Sequence, residues 1–196
     1  MKSYGSFLET VYDVLFEPRQ AMQAIAEQRL TGQALAMFAI SMLVPVWTVY
    51  TGVTGMADSP ATVAMFGVHL FASLVFWVLS AAVLSFIAEL YGGQGTVLGL
   101  FAALGFSHLP RIAIIPAWVF VAIMPPVTRP VLMGIIGLAV VTWTLALNVA
   151  ALRGAYGLSG AKAVLVLLTP ILAVAILITV CVMFAGAAIV YWPFKA

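Results

Sequence analysis

The chain has 196 residues, 65% of them hydrophobic and 7% charged, and a formal net charge of +2. Soluble domains carry about 25% charged residues, so fourteen charged side chains are too few to cover a water-facing surface of this size. The surrounding medium is therefore lipid, and the absence of any basic run excludes a nucleic-acid partner.

The single cysteine, Cys181, rules out a disulfide framework and reads as a thiol buried among aliphatic residues. The first thirty residues mix acids, bases and apolar residues without the apolar core of a secretory signal. Lys2 and the Trp-Pro-Phe-Lys-Ala end exclude myristoylation and prenylation.

Residues 1–30 read as a cytosolic or interfacial pair of amphipathic helices, followed by a transmembrane domain over 31–196. In the first helix Tyr4, Leu8, Val11 and Leu15 recur at helical spacing, with Glu9, Asp13 and Glu17 on another side. Pro18 suits the first turn of the second helix, which sets Ala21, Met22 and Ile25 against Gln20, Gln23 and Glu27. The acidic stripe favours folding back on the bundle over lying on an anionic leaflet.

Five spans follow, at about 33–53, 62–90, 96–124, 131–152 and 163–191. Trp47 and Tyr50 suit the far interface of the first, and Gly55 to Pro60 form the next turn. The second runs without a full charge from Asp58 to Glu89 and carries His69 and Trp77. The third is too long for one straight crossing, yet residues 110–124 reach only about 22 Å of a roughly 30 Å core. It must be a broken helix, bent near His108–Pro110, where proline removes a backbone donor. Gly92, Gly93 and Gly95 form the tight turn before it. The fourth span holds Trp143 and Asn148, and a Gly-rich loop from Arg153 to Lys162 leads to the fifth. The expected fold is an all-α polytopic membrane bundle of five helices, with the amphipathic pair on the inner side.

With the N-terminus inside, Lys2, Arg19, Arg29, Arg111, Arg153 and Lys162 lie on the cytoplasmic side, and only Arg129 and Lys195 lie outside. That split obeys the positive-inside rule and puts the C-terminus outside. In a prokaryote the membrane would be the inner one. No internal repeat of the kind many transporters use is visible.

Charges at membrane depth usually pair or face a polar cavity. The candidate polar cluster is Glu89, His108 and Arg111, with Asp13, Glu17 and His69 as further members. Glu89, Arg111 and the N-terminal acids form either an ion-paired network or separate groups that snorkel to the headgroups. The sequence has no spacing for a metal site, no nucleophile–base constellation and no phosphate loop, so no cofactor, metal or catalytic residue is expected. Ser107 and His108 are adjacent, and adjacent helical residues do not face each other.

Three segments resemble the Yip (Ypt/Rab-interacting protein) family of five-span membrane proteins. They are Leu15-Phe16-Glu17-Pro18-Arg19-Gln20-Ala21-Met22; Tyr91-Gly92-Gly93-Gln94-Gly95-Thr96 with Ala102–Phe106 and Pro110; and Gly157-Leu158-Ser159-Gly160-Ala161-Lys162-Ala163. The resemblance covers residues 15–185 and implies a cytosolic N-terminus and association with itself or with related membrane proteins. In eukaryotic relatives it also implies binding of prenylated small GTPases. This chain has only about thirty residues before its first span, which argues against GTPase binding and for the short bacterial type.

The leading expectation is a non-enzymatic integral membrane protein that self-associates and acts on protein or lipid in the bilayer. The alternative is a small-solute, ion or lipid transporter using Glu89, His108 or His69 together with Arg111 near the inner face.

Overall fold

A computed structural model describes residues 6–54 and 60–191, and every regular element among them is helical. The elements are α1 (Phe7–Phe16), α2 (Pro18–Gln28), α3 (Thr31–Thr54), α4 (Pro60–Leu90), α5 (Val97–Phe106), a 3-10 segment (Leu109–Ala113), α6 (Ile114–Ala122), α7 (Arg129–Tyr156) and α8 (Gly160–Tyr191). The turn expected at 55–59, and the residues Tyr4, Lys2, Trp192 and Lys195, lie outside the described residues. So do the side chains of Trp47 and Tyr50.

Local chemistry sets the ends of these helices. Pro18 bars Glu17 from the helical region and starts α2 with a fixed φ. That helix closes on Arg29 in the left-handed region (φ 49°), with Arg29 N–H donating to Ala26 O and Leu30 N–H to Ile25 O. The Thr96 hydroxyl caps α5 by accepting from Gly99 N–H at 3.1 Å. Gly157 ends α7 at φ 65°.

Four helical stretches are long and apolar enough to cross a membrane: Val63–Leu90, Val97–Ala122, Arg129–Tyr156 and Gly160–Ala187. The protein is thus a polytopic bundle. α3 has 24 residues and contributes the shorter apolar helix Thr31–Pro45, so a fifth crossing is not established by length and composition.

The bundle has two layers of different character. In one, α5 is buried from Gly99 to Phe106 save for the half-buried Phe101. Around it pack Met22 and Ile25 of α2, Ala34 and Phe38 of α3, and Trp77, Ala81 and Leu84 of α4. Leu147, Leu152 and Tyr156 of α7 and Ala163 and Val166 of α8 complete this core. In the other layer the large side chains are mostly uncovered, among them Val68 and Phe71 on α4, Ile135 and Leu138 on α7, and Ile176 and Met183 on α8. The mostly uncovered stretches 63–76, 129–146 and 171–187 rise about 20, 26 and 24 Å, most of the roughly 30 Å thickness of a hydrocarbon layer.

Cys181 sits on the uncovered part of α8. The expectation of a buried thiol fails because, among the described residues, the surrounding part of α8 is left exposed.

Glycine lets the packed layer close. A Cβ at Gly154 would lie 2.6 Å from Gln23 N, and one at Gly99 would lie 2.8 Å from Ala26 O. Helix α2 is therefore pressed backbone to backbone against α7 and α5.

Candidate functional site

The first polar feature is the break in the third stretch. Ser107 and His108 leave α5 in turn geometry, and Pro110 opens the 3-10 segment, since it cannot donate to Phe106 O. The Ser107 hydroxyl donates to Leu104 O at 2.7 Å and is buried, so it is held by its own helix and is not poised as a nucleophile.

Beside the break, Trp77 is sandwiched between Phe38 (centroids 4.6 Å, 17°) and Phe101 (4.0 Å, 15°). The His108 ring stands edge-on to Phe38 at 5.3 Å and to Trp77 at 6.2 Å. Its Nδ1, the Ser41 hydroxyl and Trp77 Nε1 are buried without a hydrogen-bond partner among the described residues. Arg111, one turn further on, is half-buried and donates from Nη1 to Met42 Sδ at 3.2 Å.

The second feature is the glycine turn after α4. Gly92 (φ 82°) donates to Glu89 O, Gly93 donates to Ala88 O, and Gln94 N–H reaches Tyr156 O at 3.1 Å. The turn lies flat on Tyr156: a Cβ at Gly93 would come within 3.0 Å of Tyr156 Cβ, and one at Gly95 within 2.9 Å of its ring. Lys162 Nζ donates to Tyr91 O at 2.9 Å, and the Tyr91 hydroxyl lies 3.3 Å from Thr169 Oγ1. A cation on the last carbonyls of α4 also complements its dipole. This clasp joins two segments that are 71 residues apart.

The third feature is the N-terminal pair. The Thr10 hydroxyl donates to Gln33 Oε1 at 2.9 Å, and Phe7 approaches Phe106 at 6.3 Å. Asp13 is buried and engaged, while Glu9 and Glu17 are exposed.

The candidate residues are therefore distributed over the bundle. His108 and Arg111 share one turn at the level of Trp77. Glu89 is exposed twelve residues further along α4, about 18 Å at 1.5 Å per residue. His69 is exposed on the uncovered half of α4. Among the described residues, no three His, Cys, Asp or Glu side chains come together.

Sequence reasoning did not single out Tyr156, Lys162, Thr10 or Gln33 as contact residues. Lys162 was within reach, because it belongs to one of the three family-like segments. The pairing of Thr10 with Gln33 carries no local signature.

No curated protein and no solved structure matches the chain. The family model of the Yip1 domain matches residues 12–192. All three segments lie within that match, and two of them, the glycine turn and the Lys162 loop, meet in the clasp. The chain belongs to the Yip1 family, as an integral membrane protein in contact with the lipid bilayer.

Proposed function

We propose that this protein works without catalysis, as a five-span membrane organiser whose packed layer is a cap at the cytoplasmic side of the bundle, acting on protein or lipid. The observation that carries this reading is the contrast between the layers. α1, α2, α5 and the inner ends of α4, α7 and α8 form one continuous core, while the outer helices offer lipid a plain apolar surface. The polar groups of the cap brace helices. His108 stands edge-on to the Phe38–Trp77 stack, and Lys162 closes α4, while Glu89 lies exposed about 18 Å along α4 from Trp77.

The positive-inside count supports a cytoplasmic cap, since Arg19, Arg29, Arg153 and Lys162 all belong to that layer or its rim. Self-association is the form of action the family favours. In native mass spectra of the protein released from membranes, E89Q, H108A and R111A should each alter the oligomer distribution or the retained lipid. Wild-type spectra for all three variants would overturn the proposal.

A further inference from the structure

Helix α1 faces the opposite way from an ordinary surface helix. Thr10, Asp13 and Val14 are buried against the bundle. Leu8, Tyr12, Leu15 and Phe16, at i, i+4, i+7 and i+8, form an outward stripe, with Leu8 75% and Phe16 67% exposed. The Tyr12 and Phe16 rings lie 4.5 Å apart, so the stripe is one continuous apolar surface.

Its position says what covers it. Thr10 is bonded to Gln33 in the first turn of α3, and Phe7 touches Phe106, the last residue of α5 before the break. Beyond that level large apolar side chains are uncovered at Leu35, Ile40 and Leu43 on α3 and at Phe71 and Phe76 on α4, and α4 is also uncovered on its inner half at Leu79, Phe86 and Leu90. The stripe is therefore next to the start of the uncovered apolar surface of α3. Tyrosine, apolar in body and polar at its tip, suits the boundary between acyl chains and headgroups.

We propose that α1 is an in-plane membrane anchor, with Leu8, Tyr12, Leu15 and Phe16 seated among the phospholipids of the leaflet next to the cap. This rests on the proposed placement of the membrane, with α3 entering it at its first turn. The anchor also accounts for the polar inner face of α1: with lipid on one side and protein on the other, Thr10 turns inward, where its hydroxyl meets Ser6 O and Gln33 Oε1. Glu9 borders the stripe and Glu17 lies beyond it, so the seat suits zwitterionic headgroups better than a strongly anionic surface.

The test uses the full chain with its only cysteine removed by Cys181→Ser and single cysteines placed at Tyr12, Phe16 or the exposed Gln20. Each variant carries an environment-sensitive fluorophore and is reconstituted in phosphatidylcholine vesicles. Labels at 12 and 16 should be quenched by lipids with a nitroxide near the headgroup, and shielded from aqueous iodide several-fold relative to a label at 20. Iodide quenching equal at all three sites would overturn the proposal. So would shielding from both quenchers that disappears as the protein is diluted, because a second copy would then cover the stripe. The native spectra that test the cap reading are independent of this outcome, so either idea can fail alone.

Discussion

Gly154→Ala should loosen the N-terminal pair, and Gly137→Ala on the same helix should not. The added carbon at 154 would lie 2.6 Å from Gln23 N, 2.9 Å from Met22 C and 3.0 Å from Gln23 Cα. All three are backbone atoms of α2 and cannot rotate away. Ordinary carbon contacts are about 3.5–4.0 Å, so α2 must retreat by roughly 1 Å. At Gly137 nothing lies within 4 Å. Both substitutions gain the same helix propensity, up to about 1 kcal/mol, so the difference between them isolates the clash. Overpacking of this kind costs about 1–3 kcal/mol, which corresponds to roughly a 5- to 150-fold larger population with α2 undocked. Limited trypsin digestion at Arg19 and Arg29 reads that population directly. Equal cleavage rates for the two variants would refute the claim that α2 is seated backbone to backbone on α7.

Three further substitutions probe separate contacts. Arg29→Gly relieves a left-handed residue that costs about 1–2 kcal/mol, less an offsetting gain in unfolded-chain entropy. A net gain near 0.5–1 kcal/mol should raise Tm by about 1–4 °C in detergent. Lys162→Met removes the bond to Tyr91 O; hydrogen exchange at Gln94, whose amide bonds Tyr156 O, should accelerate, and Lys162→Arg should restore protection. Trp77→Ala dismantles the Phe38–Trp77–Phe101 stack, and a cost of about 3–5 kcal/mol corresponds to a Tm loss of about 6–20 °C. Trp77→Phe should recover part of it.

The membrane habitat was legible because composition alone leaves no other solvent for this surface. The bend near His108–Pro110 was legible because chain length and bilayer thickness can be compared without knowing any contact. The outward stripe of α1 was harder to read. Periodicity tells which residues share a face, but not which face meets protein. Leu8 and Leu15 were grouped with Tyr4 and Val11 as one apolar side, and the contacts instead bury Thr10, Asp13 and Val14. The span of α4 between Trp77 and Glu89 was visible in the sequence. That His108 stands level with Trp77 was not, since it depends on how α5 packs. Lys162 and Tyr91 met only on folding, across 71 positions.

The glycines divide by layer in a way that bears on where stability resides. Those at 93, 95, 99, 105 and 154 abut backbone or ring atoms of another element, at distances a methyl group could not share. Those at 67, 134, 137 and 186, on the uncovered helices, have nothing within 4 Å, and in the packed layer the same holds of Gly32 and Gly157 at helix ends. Lipid chains are as apolar as leucine, so helices in a bilayer gain little from hydrophobic burial against each other and depend on close approach. Among the described glycines, close approach is confined to the cap. The cap therefore supplies most of the cohesion that holds α4, α7 and α8 together, and their outer halves behave as apolar extensions anchored at one end. Apolar substitutions in those halves should leave Tm unchanged, whereas single methyl additions at Gly93, Gly95, Gly99, Gly105 and Gly154 should each lower it.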